Sequence, residues 1–176
     1  VDDGNSCSEP AMVAINIRPV NDAPVAADDF VATDEDLPVT TSNVLVNDTD
    51  LDGDLLSISS FTQPAGGTLT GNGNGTFTYR PNQNFNGTDS FIYTVTDGNG
   101  GVDTATVRIA VNPANDLPTA NEQIVSLDED TTTSIILTAI DPDSDVMNYR
   151  VVSGSNHGKI TGFPPNLTYT PDADFN

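Results

Sequence analysis

Residues 87–118 read GTDSFIYTVTDGNGGVDTATVRIAVNPANDLP. Two alternating runs flank a turn. In the first, Phe91, Tyr93 and Val95 alternate with Ile92, Thr94 and Thr96. In the second, Val107, Ile109 and Val111 alternate with Thr106, Arg108 and Ala110. A period of two marks a strand with one face buried and one wet. Between the runs, Asp97-Gly98-Asn99-Gly100 supplies the residue types that reverse a chain. The stretch is therefore a β-hairpin, and its surroundings repeat the pattern. Phe77 and Tyr79 alternate with Thr76 and Thr78, and turn signals recur at Asp52-Gly53, Gly66-Gly67, Asn72-Gly73-Asn74-Gly75 and Asn86-Gly87. No segment pairs a helical period with a cap. The spacing predicts strands over about 25–32, 38–46, 55–62, 67–70, 76–80, 89–96 and 102–111. Seven short strands of this kind predict an all-β, immunoglobulin-like seven-stranded β-sandwich.

The end of the quoted stretch has a copy upstream. Val1 to Pro24 aligns with Val95 to Pro118 without gaps at an offset of 94, with 11 identities in 24 positions. Asp34-Glu35-Asp36 likewise matches Asp128-Glu129-Asp130. After a three-residue deletion, Asp50, Asp52 and Asp54 match Asp141, Asp143 and Asp145. Tyr79, Pro81, Phe85 and Asn86 match Tyr169, Pro171, Phe175 and Asn176. The chain thus reads as a window on a tandem array, as such periods do. Residues 1–20 are the expected C-terminal strand of one repeat, 21–113 a complete repeat, and 114–176 a truncated repeat lacking its last two strands.

Composition limits the partners. The 176 residues carry 5 Lys+Arg against 26 Asp+Glu, for a formal net charge of −21. Such a chain does not bind a nucleic-acid backbone, which needs cations to displace its counterions. An anionic membrane surface repels it, and no apolar run is long enough to span a bilayer. Of the acids, 22 are Asp and 4 are Glu. Solubility alone does not favour Asp, which is a turn, cap and cation-ligand residue.

The predicted strands sort these acids by pole. The N-terminal pole of the complete repeat collects Asn21-Asp22 from the linker, then Asp48, Asp50, Asp52 and Asp54 from the loop after the second strand. Asp97 and Asn99 join them from the last hairpin. The C-terminal pole collects Asp34-Glu35-Asp36, Asn86, Asp89 and the next linker, Asn115-Asp116, with Asp141, Asp143 and Asp145 arriving from the following repeat. Clustered carboxylates repel unless something neutralises them. An all-oxygen donor set of this density selects Ca2+ over Zn2+, and a flexible carboxylate cage suits it better than Mg2+. Asp48 to Asp54 begins like an EF-hand loop, but Ser59 stands where that loop needs its bidentate Glu, and flanking helices are missing.

The ordered motifs resemble a known family. The linker Asn-Asp-x-Pro is followed by Asp-Glu-Asp, then Asp-x-Asp-Gly-Asp, then Phe-x-Gly-x-Asp-Ser-Phe-x-Tyr-x-Val-x-Asp-Gly. This set resembles the bacterial cadherin-like tandem repeats of large secreted, calcium-dependent adhesins. The resemblance implies calcium between successive repeats, stiffening a rod. Carried over, Asn21, Asp22, Asp50, Asp52, Asp54 and Asp97 would act at the first junction. Asp34, Glu35, Asn115, Asp116, Asp141, Asp143 and Asp145 would act at the second. Ala23 and Leu117 replace the last Asn of the animal linker motif, which implies fewer ions per junction. The expected setting is extracellular, on a bacterial surface.

Other chemistry finds little support. His157 is the sole histidine, so no His-based triad can form within the chain. Cys7 has no histidine near it in sequence and makes a poor nucleophile. Trp, the usual sugar platform, is absent. The expectation is a non-catalytic spacer. The competing readings are a calcium-dependent module for polysaccharide, and head-to-tail self-association in which residues 7–18 add as a strand to an open sheet edge of the truncated repeat.

Overall fold

The computed structural model describes Gly4, Asn5 and residues 12–175; Cys7 lies outside them. The alternating runs become strands where each has a neighbour to pair with. Across residues 21–113, read from the sequence as the complete repeat, these are β1 (Asp29–Asp34), β2 (Val39–Thr40), β3 (Ser57–Phe61), β4 (Gly67–Gly71), β5 (Phe77–Pro81), β6 (Gly87–Thr96) and β7 (Val102–Asn112). They form two sheets, ordered β1-β7-β6-β3 and β2-β5-β4. The β6–β7 hairpin opened by the quoted sequence pairs from Gly87↔Val111 to Thr96↔Val102. Beyond it β1 lies parallel to β7, from Asp29↔Val107 to Asp34↔Asn112.

The inward positions close one core. Val44, Leu69, Phe77, Tyr79, Phe91, Tyr93, Val95, Ala105, Val107, Ile109 and Val111 are buried together. Phe77 meets Phe91 edge-on, with ring centroids 4.8 Å apart, which suits the ring quadrupoles. Tyr93 carries its hydroxyl into this core beside Asp48 and the carbonyls of Ala27 and Val44. Burying that hydroxyl next to carboxylates pushes its pKa up.

Two predicted strands came out differently. The second, expected over 38–46, is a strand only at Val39–Thr40. Thr41 still exchanges bonds with Phe77, its N–H donating to the Phe77 carbonyl and its hydroxyl accepting from the Phe77 N–H. Asn43 then accepts from the N–H of Leu45 and caps a 3₁₀ turn at Val44–Val46. A side chain that satisfies the next backbone donor competes with the ladder. The first strand, expected over 25–32, is shifted to 29–34, and Val25 makes an isolated bridge with Thr49.

The second unit holds β8 (Thr119–Ala120), β9 (Thr133–Ile136), β10 (Ala139–Ile140), β11 (Gly158–Phe163) and β12 (Asn166–Pro171). Its sheets are β10-β8 and β11-β12-β9, the latter matching β4-β5-β2. Residues 123–128, the counterparts of β1, are irregular. In the complete repeat β7 is what pairs β1, and no described strand plays that part here. Of the strand expected over 7–18, residues 7–11 lie outside the described residues, and 12–18 are irregular and exposed, with no described strand paired to them. Both units repeat one local device: Asp36 and Asp130 adopt positive φ, and each carboxylate accepts an N–H from a later turn, that of Asn84 or Asp174.

Candidate metal centre

The sequence Asp-x-Asp-Gly-Asp folds around its first carboxylate. Asp50 Oδ1 accepts the N–H of Asp52 at 2.9 Å and of Asp54 at 3.1 Å. Gly53 turns the chain at φ +80°, a conformation glycine adopts without steric cost. The second carboxylate, Asp52, accepts the N–H of Asp22 at 2.7 Å and so fastens the loop to the linker. The third, Asp54, accepts the side-chain amide of Asn99 at 2.7 Å and reaches the last hairpin.

Asp97 completes the cluster from that hairpin and is 5% exposed. It accepts the side-chain N–H of Asn21 at 2.8 Å and the backbone N–H groups of Asn99 and Gly101. The Asn21 bond, followed by the backbone donors, holds its carboxyl below the usual range. Gly101 must be glycine here, since a Cβ would collide with the Asp97 carboxylate and with Ala23 Cα. As a result, one carboxylate oxygen from each of Asp50, Asp54 and Asp97 lies within 4.8 Å of the others.

The second junction rebuilds the same frame. Asp141 Oδ1 accepts the N–H of Asp143 and Asp145 at 3.0 and 3.3 Å, with Ser144 at positive φ where the first loop has Gly53. Asp143 accepts the N–H of Asp116 at 2.6 Å, as Asp52 does that of Asp22. Asn21 and Asn115 each donate to the carbonyl of the following Asp. Glu35 is 3% exposed and grips the departing chain, accepting from the Ala114 N–H at 2.6 Å and from the Asn86 amide at 3.2 Å.

Two oxygens stand out. Asp50 Oδ2 and Asp116 Oδ2 are buried and have no hydrogen-bond partner. An orphaned buried carboxylate oxygen carries a large desolvation cost. At Asp116, burial and then the charges of Asp36, Asp143, Glu35 and Asp141 push the carboxyl above its ordinary value. That field brings residues of the complete repeat against those of the next.

The thirteen residues named from sequence therefore divide. Asp50, Asp54 and Asp97 converge, with Asn21, Asp22 and Asp52 bonded around them. At the second junction the charges of Asp143, Glu35 and Asp141 all act on Asp116, with Asp145 bonded to Asp141, but among the described residues no three carboxylates there converge as those of the first cluster do. Asn115 is bonded to its neighbour's carbonyl, and Asp34 is engaged by the Asn112 amide at 3.1 Å. Asp36 was not in that set, yet its charge acts on Asp116; its sequence position beside Glu35 was the available signal. Two acids sorted to the poles serve the fold instead. Asp48 accepts from Tyr93 and the Ala27 N–H. Asp89 accepts from Tyr79 and the N–H groups of Ala65 and Gly66.

The family profile of the bacterial Ig domain matches residues 21–110 and 115–176. The chain belongs to that family. Among known proteins the chain is similar to Protein GAMETE EXPRESSED 2 of Arabidopsis thaliana. It is 39% identical over 107 residues, or 61% of this chain and 11% of that protein. The chain thus spans about a tenth of that relative's length. Among solved structures, the human desmocollin-1 ectodomain is similar at 14% identity and a TM-score of 0.48, over 90% of this chain and 32% of that one. The endo-fucoidan hydrolase MfFcnA4 of glycoside hydrolase family 107 is similar at 20% identity and a TM-score of 0.42, over 86% of this chain and 24% of that one. No helix among the described residues is long and apolar enough to cross a membrane.

Proposed function

We propose that this chain is a structural, non-catalytic segment of an extracellular adhesion or surface-stalk protein whose junctions are stiffened by Ca2+. Residues 21–113 are the complete repeat, 1–20 the tail of one before it, and 114–176 part of the next. The observation that carries this reading is the pair of orphaned buried oxygens, Asp50 Oδ2 and Asp116 Oδ2. Asp50 has its other oxygen taken by two backbone N–H groups, and Asp116 lies in the field of Asp36, Asp143, Glu35 and Asp141. Asp50, Asp54 and Asp97 would hold an ion at the first junction, beside Asn21, Asp22 and Asp52. Asp34, Glu35, Asn115, Asp116, Asp141, Asp143 and Asp145 supply the oxygens available at the second. All are hard oxygen donors, which fits calcium. The bound ion would supply the positive charge that the clusters lack. Without it, each linker is a self-repelling hinge, which Pro19, Pro24, Pro113 and Pro118 already restrict. The partners are the neighbouring repeats, with head-to-tail association between chains by strand addition at the open sheet edge of the second unit.

The test is thermal unfolding with calcium and with chelator. Extracellular calcium modules bind with Kd on the order of 10⁻⁴–10⁻³ M. At ten times Kd each site adds about 1.4 kcal/mol, a shift of a few degrees. An unchanged midpoint overturns the reading.

A further inference from the structure

The acids are absent from one part of each repeat. No Asp or Glu occurs from Leu55 to Thr88, nor from Val146 to Pro171, in a chain that holds 26 of them. The first stretch builds β3, β4 and β5, and the second builds β11 and β12. The poles carry the negative charge, and one sheet in each unit carries none from these strands.

What occupies that face is regular. Thr40, Thr78 and Thr70 pair across three strands, and Ser134, Thr168 and Thr161 pair across the equivalent three. The strands that carry such a row lie about 4.8 Å apart. Thr40 and Thr78 are in contact, their oxygens 3.1 Å apart. The next row of each sheet holds a cation beside a threonine, Arg80↔Thr68 in one and Lys159↔Thr170 in the other. Each unit also has a cleft between the third-strand segment and the following hairpin, 710 Å³ in the complete repeat, where Arg80 lies outside it on the sheet face, and 630 Å³ in the second unit. The latter has Arg150 on one wall and Lys159 on the other.

These cations are unspent. Among the described residues the one ion pair is Arg108–Asp28, at 3.9 Å. Arg80, Arg150 and Lys159 have no carboxylate of a described residue within pairing distance, although acids outnumber cations 26 to 5. Free cations, hydroxyl rows and an acid-free cleft together match a polymer that bears both hydroxyls and anionic groups.

We propose that the acid-free sheet and cleft of each repeat bind an anionic polysaccharide. Arg150 and Lys159 take its charged groups in the second unit, Arg80 does so in the complete repeat, and the Thr and Ser rows take its hydroxyls. The carboxylates stay at the poles, where salt at physiological strength screens their repulsion beyond about 8 Å. In the second unit this site borders the acidic junction, since Arg150 also lines the cleft that holds Asp116, Asp141 and Asp145; Lys159 and Arg80 do not line it.

The test measures binding of the full chain to dextran sulfate and to neutral dextran by titration calorimetry, in chelator, so that calcium cannot bridge two anions. The expected result is binding to dextran sulfate, none to neutral dextran, and affinity that falls as salt rises. Arg150→Gln with Lys159→Gln should weaken binding about tenfold and flatten the salt dependence. Arg80→Gln should weaken the remainder. Circular dichroism on the same samples guards against loss of fold, to which these exposed positions contribute little. No binding in chelator overturns the proposal, as does binding that the three substitutions leave unchanged. A chain that dimerises through these same residues without any polysaccharide also overturns it, since the cations then serve a second copy.

Discussion

Two carboxylates two positions apart, Asp48 and Asp50, show how much a single side chain's direction decides. Asp48 turns inward and is consumed by Tyr93 and the Ala27 N–H. Asp50 spends one oxygen on its own loop and leaves the other orphaned. Asp50→Asn keeps an acceptor for the loop and removes the uncompensated charge. In chelator the variant should melt no lower than the parent. With calcium it should lose the part of the midpoint gain that belongs to the first junction, which calorimetry resolves. Asp29 offers a second test at this scale. Burial, and then the charge of Asp48, raises its carboxyl above 3.8. A raised acid opposes folding while ionised, at pH above its folded value, and the opposition vanishes below the ordinary value. Asp29→Asn should therefore raise the melting midpoint at neutral pH, with a gain that shrinks as the pH falls towards about 3.

Elements were readable to the degree that alternation and turn chemistry agreed. β5, β6 and β7 fall within a residue or two of the expected spans, because each has buried inward residues and a glycine-marked turn. The 38–46 stretch was not readable, since Thr41 and Asn43 bond locally and leave the ladder after Val39–Thr40. The acidic loops were placed by their spacing, but the sorting of acids into clusters and clamps was not. Asp48 and Asp89 differ from their neighbours only in having a buried tyrosine hydroxyl to meet. Tight packing sets the scale of two predictions. Phe77→Ala removes a ring that touches both Phe61 and Phe91, at 5.1 and 4.8 Å, and should cost about 3–5 kcal/mol in denaturant unfolding. Gly101→Ala presses a methyl onto Asp97 and Ala23 and should cost about 1–3 kcal/mol. It should also weaken calcium binding, because Asp97 must move.

For the whole molecule, the formal charge of −21 describes the chain without bound cations. Calcium at the junctions would lower it while fixing the angle between units. Small-angle scattering should then show a narrower distribution of lengths with calcium than with chelator; identical curves would count against stiffening. The parallel pairing of β1 with β7 bears on what such a rod withstands. The chain enters the complete repeat through β1 and leaves it through β7, and the two lie side by side over six residue pairs. Tension applied to the ends drags these neighbours in opposite directions along their own length. Every hydrogen bond between them is then loaded at once in shear, and none can be peeled ahead of the rest. A repeat joined this way meets tension along its ends in its strongest geometry.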